Sequence, residues 1–205
     1  KSLDKNDLLI KKNLFLGYKS IQKNNETFFK EVYSLQQSNN LKIDLDLNVK
    51  KKNYYFPKLN IKKLNYNHIL RDTEKLLIES LRIRLRSDVP IAFCLSSGID
   101  SSLLAAITKK KLEQDISTFT LIDNDLRYSE KKNVDLICNH LNCKNIQINI
   151  SDYKKNFIKS LKELNVMNDS PVSVISYYIQ SILTKQISKK GFKVSLSGIG
   201  ADEIF

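Results

Sequence analysis

Cysteine is scarce: Cys94, Cys138 and Cys143 are the only three, and none stands in a CxxC pair. An odd number without that spacing argues against a disulfide framework or a zinc site, and for reduced thiols that pack as small hydrophobes. Long apolar runs are missing as well. Nothing approaches the roughly 18 uncharged apolar residues of a membrane span, and the opening Lys1-Ser2-Leu3-Asp4 shows neither an initiator Met nor a signal-peptide core. The expected compartment is therefore cytoplasmic, with no membrane partner. Arginine is short too, with five against 29 lysines in a net charge of +12. Arg is the residue that forks onto phosphates and guanine edges, whereas a diffuse Lys surplus solvates a surface, so the composition disfavours nucleic acid as a partner. The excess is also uneven: residues 1–63 carry 14 basic and 6 acidic side chains (+8), and residues 64–205 carry 20 and 16 (+4).

What is present suffices for a folded core, with 41% hydrophobic and 27% charged side chains over 205 residues. Residues 41–49 (Leu-Lys-Ile-Asp-Leu-Asp-Leu-Asn-Val) alternate apolar and polar, which predicts a strand with one buried and one wet face. With the β-formers of Thr27 to Tyr33 upstream and Tyr54-Tyr55-Phe56-Pro57 closing the region, the first 56 residues read as the end of a mainly β unit. A polar stretch from Lys58 to Asn67 makes the linker candidate. From Leu70 the pattern changes: helix to about Leu85, strand over Val89–Leu95, helix over Ser101–Lys111, strand over Ile116–Ile122, helix over Ser129–Leu141, strand over Asn145–Ile150. Helices at about Tyr153–Leu164 and Ser173–Lys189 then lead to a strand at Phe192–Leu196. That alternation predicts an α/β fold, a parallel sheet with helices on both faces, whose ligands bind beyond the carboxyl ends of the strands.

Two strand ends carry chemistry. In Leu95-Ser96-Ser97-Gly98-Ile99-Asp100-Ser101-Ser102 a buried strand runs into small residues and then into a helix. Small residues let backbone N–H groups approach an anion, the helix start adds unpaired donors, and Asp100 repels a bare phosphate unless a hard cation such as Mg²⁺ lies between. Taken alone, the same residues serve as an ordinary N-capped turn. The loop is no Walker A motif, because Gly-Lys-Ser/Thr occurs nowhere in the chain. The second strand end is Val194-Ser195-Leu196-Ser197-Gly198-Ile199-Gly200-Ala201-Asp202-Glu203, again strand, small-residue loop and carboxylates.

The Ser-x-Gly-x-Asp-Ser loop resembles the pyrophosphate loop of N-type ATP pyrophosphatases. Together with Leu-Ser-Gly-x-Gly-Ala-Asp-Glu-x-Phe about 100 residues later, it resembles the synthetase domain of glutamine-hydrolysing asparagine synthetases. The intervening Arg84-Leu85-Arg86-Ser87-Asp88-Val89-Pro90, the helix from Glu130 to Leu141 and Asn168-Asp169-Ser170-Pro171 extend the likeness. The resemblance implies an adenine nucleotide alpha hydrolase-like (PP-loop) domain over residues 68–205, cut at its C-terminal end. A linker over 58–67 and, over 1–57, the β-rich end of an N-terminal nucleophile glutaminase domain would precede it. The chain is expected to be a window on a longer protein, inactive by itself.

The implied activity is ATP-dependent amide formation. The side-chain carboxylate of aspartate is adenylated and ammonia from glutamine displaces AMP, with ATP, aspartate and glutamine or ammonia as small-molecule partners; a homodimer is left open. By motif position Ser96, Ser97, Gly98, Ile99, Asp100, Ser101 and Ser102 would line the phosphates, and Leu95, Leu121, Ser197 and Gly198 would border the adenosine. Asp100 and Asp202 would bind Mg²⁺, and Asp100, Asp202 and Glu203 would be the catalytic acids. Ile199 departs from the family pattern, which places Glu or Asp between the two glycines of the second loop. Isoleucine takes no proton and binds no cation, so a different carboxylate acceptor is the first alternative, and an RNA-modifying ATP pyrophosphatase the second. His68 and His140 lack an acidic or cysteine partner at a recognisable spacing and are read as surface or cap residues.

Overall fold

A computed structural model describes residues 3–17, 25–58 and 65–204. Two compact units divide the chain, Lys1–Lys63 with Lys162–Ile175, and Leu64–Leu161 with Ser176–Phe205. Among the described residues, no helix is long and apolar enough to cross a membrane.

The first unit is less β-rich than the sequence predicts. It opens on helix α1 (Asp7–Leu16), whose N-cap Asn6 accepts the Leu9 N–H at 3.2 Å and whose Asn6 Nδ2 donates to Thr27 O. Thr27–Tyr33 forms no strand; it is a turn with isolated bridges, Lys5 to Phe29 and Glu26 to Tyr33, held by the Thr27 hydroxyl donating to Val32 O. The alternating segment 41–49 is not one strand either. It is a hairpin of β1 (Asn39–Ile43) and β2 (Val49–Asn53), antiparallel with Ile43 opposite Val49. The reversal is made by Asp44, whose carboxylate accepts the N–H groups of Asp46 (3.1 Å) and Asn48 (2.9 Å), and by Leu47 at φ +62°. An Asp that captures the backbone this way competes with strand extension. The apolar side chains of the hairpin, Leu41, Ile43 and Val49, are exposed, so its predicted buried face is absent from this unit.

The second unit is the predicted parallel sheet. Strands β3 (Ile91–Cys94), β4 (Ser117–Ile122), β5 (Lys144–Asn149) and β6 (Val194–Leu196) lie in the order β5-β4-β3-β6, every pair parallel. Helix α2 (Tyr66–Arg84) precedes it. Of the expected linker, residues 59–64 lie outside the described residues, and Asn65 caps α2 by accepting the Asn67 N–H. Helix α3 (Ile99–Ala106) runs on through a π-helical turn, Ile107–Lys111, and α4 (Lys131–Leu141) follows β4. Helices α5 (Phe157–Asn168), whose residues from Lys162 on belong to the first unit, and α6 (Ile175–Lys189) follow β5, α5 after a 3-10 stretch.

Strand alternation sorts the core onto two faces. Phe93, Leu95, Ala105, Val134, Cys138 and Leu141 form one cluster that holds α3 and α4 against the sheet, where Cys138 packs as the small hydrophobe expected. Phe119, fully buried, turns the other way and meets the edge of the Phe192 ring at 5.3 Å. Phe192, read as strand from sequence, lies outside β6, which begins at Val194.

Candidate active site

Strand β3 delivers the first loop to the sheet's carboxyl edge. Leu95 continues the ladder by donating its N–H to Phe119 O, and the Thr120 hydroxyl, itself bonded by Asn145 Nδ2, donates to Leu95 O at 2.8 Å. The chain enters the loop from a residue whose N–H and C=O are both held by β4. Within the loop the serines bond chiefly to their own backbone. Ser101 Oγ accepts the Ser96 N–H at 3.0 Å and lies 2.8 Å from Ser96 Oγ, while Ser102 Oγ donates to Gly98 O at 2.7 Å. Gly98 is the N-cap of α3 and supplies no side-chain cap, which leaves the first-turn N–H groups for another acceptor.

The second loop closes against that helix start. A Cβ built on Gly198 would stand 2.8 Å from Asp100 Cβ and 2.9 Å from Ser101 N, closer than real Cβ atoms come. The two loops therefore touch backbone to backbone, a contact only glycine allows. Between them lies a cavity of about 600 Å³. Its wall includes Leu95, Ser96, Gly98, Asp100 and Ser101 from the end of β3, Leu121 from the end of β4, and Ser197, Gly198, Asp202 and Glu203 from β6 onward. Ser97, Ile99 and Ser102, expected on the phosphates, are not on that wall. Ile99 is 79% exposed, and Ser102 spends its hydroxyl inside the loop.

Sequence reasoning missed Glu130. Its Oε2 accepts the Ser97 N–H at 2.8 Å across 33 residues of chain, and it lines the same cavity. The one local signal was its place before the first turn of α4, where an acid is expected to cap; it makes no such cap. Cys94, also on the wall, has its thiol pushed upward by burial, against a smaller lowering from a Ser195 hydrogen bond, and stays protonated. The wall carries four carboxylates, Asp100, Glu130, Asp202 and Glu203, and no Lys or Arg among the described residues that line it. A bare polyanion would be repelled here, and one bearing a divalent cation would not. Among the described residues no group of three or more His, Cys, Asp or Glu is disposed to hold a metal.

The chain spans about a third of the length of two curated relatives that it matches. It is 26% identical over 204 residues to asparagine synthetase (glutamine-hydrolyzing) 1 of Bacillus subtilis, covering 98% of this chain and 31% of that protein. A Methanocaldococcus jannaschii protein, provisionally named asparagine synthetase (glutamine-hydrolyzing) 2, is 25% identical over 181 residues, 87% of this chain and 34% of its own length. Amidase chyE of Penicillium rubens is 27% identical over 152 residues, 67% of this chain and 22% of its own. The asparagine synthase family model matches residues 72–205, from within α2 through both loops, and the chain belongs to that family.

Proposed function

We propose that this chain carries the nucleotide-cleaving part of an ATP-dependent amide-forming ligase of the glutamine-hydrolysing asparagine synthetase type. The observation that carries the reading is the backbone contact at Gly198, which closes two small-residue loops around one cavity with Asp100 and Asp202 both on its wall. ATP and a carboxylate substrate are bound there. The carboxylate oxygen attacks the α-phosphorus and the bond to the bridging oxygen of pyrophosphate breaks. Ammonia then adds to the acyl carbonyl, loses a proton to a base or to water, and AMP leaves. The N–H groups at the start of α3 take charge from the departing pyrophosphate, which is catalysis by positioning and charge neutralisation. Mg²⁺, when bound through Asp100 and Asp202, supplies charge neutralisation on the phosphates. Glu203, on the same wall, is assigned the remaining acid role, and Leu95, Leu121, Ser197 and Gly198 the adenosine.

Aspartate is the proposed acceptor, and ammonia from glutamine the proposed nitrogen source, with residues 1–57 as the end of the glutaminase domain and cytoplasmic synthesis of asparagine as the role. A second acceptor is favoured by one observation. Ile199 stands on the cavity wall 78% exposed, an apolar surface beside three carboxylates of the same loops. The test incubates the full-length protein with ATP, Mg²⁺, ammonia and either aspartate or a panel of other carboxylates, and follows AMP, pyrophosphate and amide. Asparagine and AMP formed in equal amounts is the expected result. Pyrophosphate release that requires another carboxylate would move the acceptor, and release that requires tRNA and no amino acid would overturn the ligase reading.

A further inference from the structure

Glu130 begins α4 at φ −84°, ψ 1°, the N-cap position, yet makes no side-chain hydrogen bond to its own helix. Its carboxylate reaches instead to the first loop, where Oε2 accepts the Ser97 N–H at 2.8 Å. The side-chain bonds of Ser96, Ser101 and Ser102 close on one another and on Gly98, inside a single stretch of chain. The Glu130 bond differs because it ties that stretch to a separate element. That element is rigidly placed: Val134, Cys138 and Leu141 of α4 are buried in the cluster with Phe93 and Leu95 of β3. The loop backbone is thus held from two sides, by β3 beneath it and by α4 beside it.

We infer that Glu130 is a positioning residue for phosphate binding: by holding the Ser97 N–H it fixes the loop backbone in the conformation whose remaining donors receive the nucleotide's phosphates. The inference rests on the first loop being the phosphate site proposed above. A carboxylate in this place has an electrostatic cost, since it adds a fourth negative charge to the cavity wall. The geometric gain must exceed that repulsion, and a charged acceptor makes the stronger bond to an amide N–H. A competing account treats the carboxylate as a stand-in for phosphate that has to leave before the nucleotide enters. The two accounts predict opposite signs when the side chain is removed.

The experiment measures binding of Mg²⁺–pyrophosphate and of adenosine to the full-length protein, beside KM for ATP, in wild type, Glu130→Gln and Glu130→Ala. Glutamine keeps an oxygen for the Ser97 N–H and drops the charge; alanine drops both. The positioning role predicts that Glu130→Ala weakens Mg²⁺–pyrophosphate binding by about tenfold or more and raises KM for ATP in step, with adenosine binding nearly unchanged. Glu130→Gln recovers most of the loss. Equal or tighter pyrophosphate binding in Glu130→Ala overturns the inference and leaves the ligase reading standing. Wild type that binds neither Mg²⁺–pyrophosphate nor ATP overturns both. Should Glu130→Ala fail to fold, Glu130→Asp, which withdraws the carboxylate by one methylene, carries the same prediction, and binding as tight as wild type would overturn it in turn.

Discussion

Two side chains, one absent and one present, set the geometry of the first loop. Gly198 is required for lack of space, since a methyl there would press on Asp100 Cβ at 2.8 Å and on the Ser101 backbone nitrogen at 2.9 Å. Gly200, at φ +96° with open space around it, is required for its backbone angle instead. Gly198→Ala must push the two loops apart. It is expected to lower stability by about 1–3 kcal/mol through overpacking and, because reacting groups are misplaced, to weaken ATP binding by about tenfold or more. Urea unfolding and ATP titration check the two effects, and unchanged ATP affinity would remove the closure that the functional reading relies on. Ser101 acts by its hydroxyl, which is buried and accepts the Ser96 N–H. Ser101→Ala leaves that N–H without its acceptor, at about 1–3 kcal/mol, whereas Ser102→Ala loses a hydroxyl that only donates and should cost about 1 kcal/mol. The ranking is read from denaturation midpoints, and the reverse order would mean the loop is held elsewhere. The short motifs that hold Ser96, Gly98, Asp100, Ser101, Ser197, Gly198 and Asp202 stand within a few residues of chain, so sequence alone points to these cavity-lining side chains, whereas Ser97 and Ser102 of the same motif do not line the cavity. Glu130 was not legible, because its partner stands 33 residues away and no spacing rule connects an acid at a helix start to a distant amide.

Among the elements, α4 joins the core to the site. Its buried stripe Val134, Cys138 and Leu141 follows helical spacing, which is why sequence periodicity placed it well, and its first turn lies beside the loop it braces. Leu141 is 3% exposed at the far end from Glu130. Leu141→Ala is expected to cost about 2–5 kcal/mol by transfer and cavity terms, with ATP affinity little changed in the folded fraction. A loss of affinity larger than the loss of folded protein would show that the helix's far end, too, sets the loop. Strands β3 to β6 were legible for a similar reason, as short β-rich runs between helices. The hairpin was misread for a physical one. Period-two alternation says which side chains share a face only while the backbone stays extended, and Asp44 ends that by taking the N–H groups of Asp46 and Asn48 onto its own carboxylate. Helix α1 was not legible although Asn6 supplies a preferred cap, because only Leu9 and Asn13 of its ten residues are buried and no apolar stripe at helical spacing marks it.

For the whole molecule, charge is divided between surface and site. A +12 chain has a cavity walled by four carboxylates and no lysine or arginine among the described residues lining it, so its net charge describes the exterior and not the chemistry. The same division shapes how stability follows pH. Asp44, Asp115, Asp125 and Asp135 all titrate lower when folded, through hydrogen bonds from Asn48, Lys109, Arg127 and Lys131 respectively. A folded pKa below the unfolded one contributes stability that is present above the ordinary carboxylate value of 3.8 and lost as pH falls through the lowered one. Asp44 and Asp115 are exposed and Asp125 and Asp135 half-exposed, so the acid limb is shallow and weakens further with salt. The alkaline limb has a different origin. Cys143 packs against Cys138, and burial first, then that neighbour, pushes its thiol from the ordinary 9.0 up to about 11. The folded state then holds a proton that the unfolded chain gives up, so stability is full below pH 9.0 and declines as pH rises toward about 11. Cys143→Ala removes the titrating group. Unfolding free energies of wild type and variant should differ by a constant below pH 9.0 and converge across the window above it, as wild type alone loses the contribution of the protonated Cys143 thiol while the raised Cys94 thiol is common to both. Denaturant curves at half-unit pH steps resolve this, and two profiles that stay parallel from neutral pH to pH 11 would show that the thiol titrates alike in both states.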